Sequence, residues 1–289
     1  MLSNWKTSSG LAITALIAVT AVWGWTFLIV KDAIAHMPVM DFLAVRFTIA
    51  AIVMFLVQPN SLRYISRRGL WHGIVLGVLL GIGYITQTFG LQTISPAVSG
   101  FITGMAVVFT PVLSWMLLRR KISRRTWLAV VLATIGLALL SLHGWSFGTG
   151  ELLTVGCALF VAFHIIGLGE WSSQHKTYGL ALIQIATVAV LSLLAATPGG
   201  ITLPPDGSVW VTVGITSVLA TAFAFFVQTW AQSLVSPTLT ALVLTMEPVF
   251  AGVFSVIAGG DSLTFRLIVG AFFVLAAMLI AQLKAFKSQ

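Results

Sequence analysis

Glu247 and Pro248 stand side by side in a run that is otherwise apolar from Pro237 to Ala258. A charge deep in hydrocarbon costs roughly 2.5–3.5 kcal/mol on insertion scales, and a proline removes a backbone donor from a helix. At 1.5 Å per residue, Glu247 lies about 15 Å from either end of that run. Two chemistries fit. In one, Pro248 frees the carbonyl of Leu244, and a protonated Glu247 gives its hydroxyl to that carbonyl or to a neighbouring helix. In the other, Glu247 is a proton-coupling or amine-binding group. Pro111 frees Val107 in the same way, with Thr110 where the acid would be.

Other chemistry-bearing residues fall on helical stripes. Tyr84 and Thr88 share a stripe with Gly77 and Gly81, and Gln87 lies beside it. His164 lines up with Phe160, Gly167 and Trp171. Phe225 and Gln228 line up with Thr221 and Gln232. Lipid offers no partner to an amide, so Gln87 and Gln228 are expected to face protein or a watery cavity. Tyr84, Gln87, His164, Phe225 and Gln228 are therefore candidate cavity-lining residues, with interhelical bonding as the alternative for the polar ones. Trp25, Phe101 and Met105 are expected to add an apolar wall. Such a pocket suits a metabolite with an aliphatic or aromatic body. The glycine pairs Gly77/Gly81 and Gly100/Gly104 also suit close helix approach. Arg46, near the outer end of its run, is expected to snorkel or to pair with Asp32 or Asp41, and Lys31 lies closer still to the surface.

These residues need membrane-spanning elements to hold them. The 289-residue chain is 58% hydrophobic and 8% charged, with a mean hydropathy of +1.05. A soluble domain carries about 25% charged residues, so lipid must be the main solvent here. Apolar runs of spanning length occur ten times, at 11–34, 42–57, 70–93, 96–118, 126–142, 152–171, 180–196, 209–234, 237–258 and 263–283. Ser95-Pro96 and Ser236-Pro237 read as a cap followed by a first-turn proline, each closing a hairpin. Ala33-Ile34-Ala35 fits a cleavage pattern, but the run from Leu11 to Val30 exceeds a signal-peptide core of about 7–15 residues. A retained first span is expected.

Alternating the ten runs sorts the basic residues. Lys6, Arg63, Arg67, Arg68, Arg119, Arg120, Lys121, Arg124, Arg125, Lys176, Lys284 and Lys287 fall on one side, twelve in all, against Arg266 alone on the other. The positive-inside bias then puts both termini in the cytoplasm. It also accounts for the net charge of +8 without nucleic acid. Trp5, Trp71, Trp127, Trp145, Trp171 and Trp210 lie near run ends, where indoles favour the interface.

The chain also repeats itself. LQTISPAVSGFIT (91–103) aligns with AQSLVSPTLTALVLT (231–245), TPVL (110–113) with EPVF (247–250), and 121–140 with 261–280. Residues 1–142 and 143–289 read as two five-helix repeats. Five is odd, so the second must enter the membrane from the opposite side. Such inverted repeats are shared by many secondary transporters, with a site at the interface between them. The expected fold is therefore an all-α integral membrane protein, ten transmembrane helices in two inverted five-helix repeats around a central cavity.

With its ten spans, duplicated half, Arg46, SP-x(14)-PV and EPVFAG, the sequence resembles the EamA group of the drug/metabolite transporter superfamily, including bacterial amino-acid exporters of the YddG type. The resemblance covers nearly the whole chain. It implies export of amino acids or similar metabolites across the bacterial inner membrane. The chain departs from the family after the fourth span, where an acidic residue is common and Arg119-Arg120-Lys121 stands instead; Asp261 keeps the acid in the second half.

Other classes fit less well. A multidrug exporter of lipophilic cations is the nearest rival, with Glu247 and the tryptophans as cation partners. A membrane enzyme would need a convergent acid, base or metal set, and His36, His72, His143, His164 and His175 show no HExxH spacing. No nucleotide-binding G-x4-G-K-[ST] occurs. No cofactor, no metal and no catalysis are expected. The expected partners are a small-molecule substrate and membrane lipid, with the chain acting as a monomer. Cys157, the single cysteine, is expected to pack.

Overall fold

The computed structural model describes residues 2–119, 121–141, 148–257 and 264–285. Arg120, His143, Trp145, Asp261, Lys287 and the 142/143 boundary lie outside them. Each of the ten apolar runs forms helix. In chain order the segments are α1 (Leu2–His36), α2 (Val39–Val57), α3 (Arg67–Thr93), α4 (Pro96–Gly104), α5 (Ala106–Leu118), α6 (Arg124–Ser141), α7 (Thr149–Trp171), α8 (Thr177–Ala196), α9 (Gly207–Ser217), α10 (Ala224–Gln232), α11 (Pro237–Leu244), α12 (Met246–Ile257) and α13 (Phe265–Ala285). Short 3₁₀ turns fill some connectors, and among the described residues there is no strand.

Among the described residues, eight stretches are long and apolar enough to cross a membrane, and they involve every segment except α6 and α13. The outer surface is what lipid requires, with Leu56 70% and Phe272 66% exposed. The protein is a multi-pass membrane protein. α3 packs along α7 and α8, α2 along α8, α1 along α12 and α10, α4 and α5 against α7, and α6 along α13.

The helix starts follow their capping residues. Ser66, Ser95, Ser236 and Asp206 each accept a hydrogen bond from the backbone N–H three residues on, at 3.1, 3.3, 3.4 and 3.0 Å. Pro96 and Pro237 then sit in first turns, where a missing N–H leaves nothing unpaired.

Three irregularities fall where the helices surround the centre. α4 gives way to α5 at Met105, and α11 to α12 at Thr245. The second break precedes Pro248, so this proline lies in the first turn of α12 and kinks no helix interior. Pro111, by contrast, does lie inside α5. Between α9 and α10 the chain makes a π-helical turn, Val218–Phe223. π-turns loosen the regular ladder and gather at functional sites. Here Trp23 Nε1 donates to the Ala220 carbonyl at 2.8 Å.

Lys31 has a task that its position in the sequence does not reveal. Its Nζ donates to the carbonyls of Leu91, Gln92 (3.3 Å) and Ile94 (2.8 Å), the open end of α3. A cation there satisfies orphan acceptors and opposes the negative end of the helix dipole. Lys31→Met should destabilise the protein by about 1.5–3 kcal/mol, read as a lower thermal midpoint in detergent. Lys31→Arg should recover part of the loss. An unchanged midpoint for Lys31→Met would mean the contact contributes nothing.

Candidate functional site

A cavity lies among the helices, and segments from both ends of the chain wall it. α1 contributes Trp23, Thr26 and Phe27, α2 Arg46, and α3 Tyr84, Gln87 and Thr88. α4 adds Gly100, Thr103 and Gly104. α7 adds Cys157, Val161 and His164, and α10 Phe225 and Gln228. Leu244, Thr245, Glu247 and Pro248 come from the α11–α12 break. The wall is mostly apolar and aromatic. Trp23 and Phe225 lie 5.4 Å apart between ring centres, Phe47 and Tyr84 4.9 Å, and Tyr84 and Phe225 6.0 Å. A few polar groups break it, the pattern of a small-molecule pocket.

Of the sequence candidates, Tyr84, Gln87, His164, Phe225, Gln228 and Glu247 come together in this wall. Trp25, Phe101 and Met105 do not. Trp25 is two residues from Trp23, and two residues turn a helix by about 200°, so Trp23 takes the inward place. Phe101 packs instead beside an apolar cluster that includes Val107, Leu242 and Met246. Met105 is spent on the α4–α5 break.

The polar residues are held in small networks. Gln87 Nε2 donates to Thr103 Oγ1 at 3.0 Å. His164, 1% exposed, bonds Gln184 Oε1 through Nε2 at 2.7 Å, and Gln184 Nε2 reaches the Leu180 carbonyl and Thr229 Oγ1. Gln228 Nε2 donates to Gln232 Oε1, and Gln232 Nε2 to the Ile165 carbonyl. Gln228 Oε1 has no hydrogen-bond partner among the described residues. His164 thus both bonds across helices and lines the cavity, whereas Gln228 lines the cavity and bonds within α10, with Gln232 making the link to α7.

The glycine pairs divide. A Cβ on Gly77 would lie 2.5 Å from Thr187 Cβ, and one on Gly81 3.2 Å from Leu191, so this pair seats α3 on α8. Gly100 and Gly104 border the cavity.

Arg46 departs most from expectation. It neither snorkels nor pairs with Asp32 or Asp41. It is 4% exposed, and its Nε donates to Thr221 Oγ1 in the π-turn at 2.9 Å. The guanidinium carbon lies 5.0 Å from the Tyr84 ring centre and 5.4 Å from that of Phe47. Asp41 instead accepts from the Thr202 backbone N–H. Glu247 makes no bond to the Leu244 carbonyl. It sits in the first turn of α12, where the helix dipole favours negative charge, and borders the cavity. Trp23, Thr103, Cys157 and the His164 partner Gln184 were not legible as site residues, although an amide in the run 180–196 was a signal for Gln184. No group of three or more His, Cys, Asp or Glu that could hold a metal occurs among the described residues.

A second histidine site lies away from the cavity. His72 Nδ1 and His175 Nε2 are 2.9 Å apart, and the His72 ring stacks on Trp171 with centres 4.2 Å apart. Burial, and then the charge of Arg68, hold His175 below the ordinary histidine value. The fold therefore favours neutral His175, whereas the unfolded chain takes up a proton near pH 6.5. Stability should fall as pH drops through that region toward the lowered folded value. The thermal midpoint should decline between about pH 7.5 and about pH 5.5, and His175→Gln should shrink the decline. An identical decline in the variant would remove His175 as its source.

Comparison with known proteins agrees with this architecture. The EamA-like transporter family matches residues 10–142 and again 148–282. A relative from Archaeoglobus fulgidus named as an uncharacterized transporter is 33% identical over 95% of this chain and 85% of its own. A Bacillus subtilis protein named as the uncharacterized transporter YoaV is 23% identical over 90% of this chain and 92% of its own. The pseudopaline exporter CntI of Pseudomonas aeruginosa is 22% identical over 72% and 75%. A solved crystal structure superposes with a TM-score of 0.80 at 18% identity, covering 98% of this chain and 99% of that one, which speaks for the fold. The chain belongs to the EamA-like transporter family.

Proposed function

We propose that this protein is a secondary transporter that exports amino acids, aromatic or apolar ones included, or related small metabolites, across the bacterial inner membrane by alternating access. One observation carries the reading: a mid-helix cavity with an aromatic wall and few polar groups, bordered by segments from both halves of the chain and by the α11–α12 break. Irregular backbone beside a cavity is what such transporters use to hold a substrate.

Residues 1–142 and 143–289 act as two oppositely inserted five-helix repeats, with α6 and α13 as the fifth and tenth spans. The double family match supports this division. So does the packing. Exchanging α1 with α7, α2 with α8, α3 with α9–α10, α4–α5 with α11–α12 and α6 with α13 turns each main helix contact into another that also exists. Both termini lie in the cytoplasm on the strength of the twelve-to-one charge bias. One chain supplies both halves, so a monomer suffices. A relative named as an exporter supports the direction of transport. Arg46 in the cavity wall disfavours the rival reading of lipophilic cations as substrate.

The test is counterflow in liposomes with purified protein and a panel of radiolabelled neutral amino acids. Internal unlabelled amino acid is expected to drive uptake of the labelled one, without competition from quaternary amines. Exchange of tetraphenylphosphonium with none of any amino acid would overturn the proposal.

A further inference from the structure

Arg46 is a buried cation without an anion. Its Nε is used by Thr221, and aromatic rings flank its guanidinium, but no carboxylate pairs with it among the described residues. Its guanidinium also meets the neutral hydroxyl of Tyr84, which leaves its charge uncompensated, and the residue borders the cavity. A charge inside a membrane protein is costly unless an opposite charge compensates it. A guanidinium is built to receive a carboxylate through two parallel N–H bonds. Glu247 borders the same cavity with a carboxyl that makes no hydrogen bond and no ion pair, with Arg46 or with another described residue. The cavity thus presents a guanidinium and a separate carboxyl with Trp23, Phe27 and Phe225 around them.

We propose that Arg46 receives the carboxylate and Glu247 the ammonium of a zwitterionic α-amino acid, whose side chain lies against Trp23, Phe27 and Phe225. This deepens the function proposed above and rests on it. A dicarboxylate would leave Glu247 opposed by a like charge, and an organic cation would leave Arg46 unmatched. The zwitterion matches both groups and enters the membrane without net charge.

The test blocks one pole of the ligand at a time. Counterflow of radiolabelled L-phenylalanine and L-leucine is competed with the parent amino acids, their carboxamides, which keep the amine and lack the carboxylate, and their N-acetyl derivatives, which lack the ammonium. With wild-type protein, each blocked compound should compete about tenfold less well or worse. In Arg46→Gln the preference for the acid over its carboxamide should vanish while the preference for a free amine persists. Glu247→Gln should show the reverse. A merely structural role would weaken every ligand equally, and that result overturns the proposal. Blocked compounds that compete with wild-type protein as well as the parents overturn it too, without need of a folded variant, while transport of amino acids stands. Failure of every amino acid to exchange removes both proposals.

Discussion

Gly24→Leu should leave almost no folded protein in the membrane, and Gly24→Ala should destabilise it by about 1–3 kcal/mol, the usual range for overpacking. A Cβ at this position would lie 2.6 Å from the Glu247 carbonyl oxygen, 2.8 Å from the Ala251 nitrogen and 2.9 Å from Phe250 Cβ. The first two are backbone atoms, which no rotamer change can move aside. Lipid tails are as apolar as leucine, so close backbone approach is one of the main attractions between helices in a bilayer. Separating α1 from α12 removes it. The crossing also sets the site, since Trp23 and Thr26 lie beside Gly24 on α1 and Glu247 lies in the first turn of α12. Gly24→Ala should therefore impair transport even where it folds. Gly156 and Gly214 serve as controls, because a Cβ there meets nothing within 4 Å, and their alanine variants should be neutral or mildly stabilising. Size-exclusion profiles and thermal midpoints in detergent decide the matter. A Gly24→Leu protein with the wild-type midpoint would show that the crossing tolerates bulk.

Gly24 also illustrates what the sequence could and could not convey. Element existence was legible, because a membrane helix announces itself as a long apolar run and serine–proline pairs mark its start. Each predicted run is helix, to within a few residues. Facing was harder. Both lipid and protein interior accept apolar side chains, so a spanning helix shows no polar stripe to mark its outer side. Polar residues break this degeneracy, which is why Tyr84, Gln87, His164 and Gln228 were found and Trp25 was taken for its neighbour Trp23. Arg46 was misjudged for another reason. Its distance from the run end suggested snorkelling, whereas its contacts with Thr221 and Tyr84 depend on a π-turn that no residue pattern here signals. Pro248 was expected to free the Leu244 carbonyl inside a continuous helix because the break at Thr245 was not foreseen. Once α12 starts at Met246, the proline and the acid both suit a first turn.

Modification of Cys157 by a small membrane-impermeant cationic thiosulfonate should abolish transport almost completely. Cys157 is the single cysteine of the chain. It borders the cavity beside Val161 and His164, and only 1% of its surface is open. A thiolate is needed for attack, so the reaction requires water to reach the site. In the arrangement described here the thiol is covered and should react slowly. A transporter that opens its cavity first to one side and then to the other must expose the same atom to reagent from either side of the bilayer. The rate of labelling then reports opening, and the added quaternary ammonium group fills the space that the substrate needs. Saturating L-phenylalanine should slow the reaction if it occupies the cavity. Cys157→Ala removes the sensitivity whatever its own transport rate, which assigns the effect to this thiol. If Cys157 stays unlabelled from both sides during active exchange, water never reaches this wall and the substrate must cross by another route. If it labels from one side alone, the cavity is a vestibule, and rocking of two inverted halves about a central site is excluded.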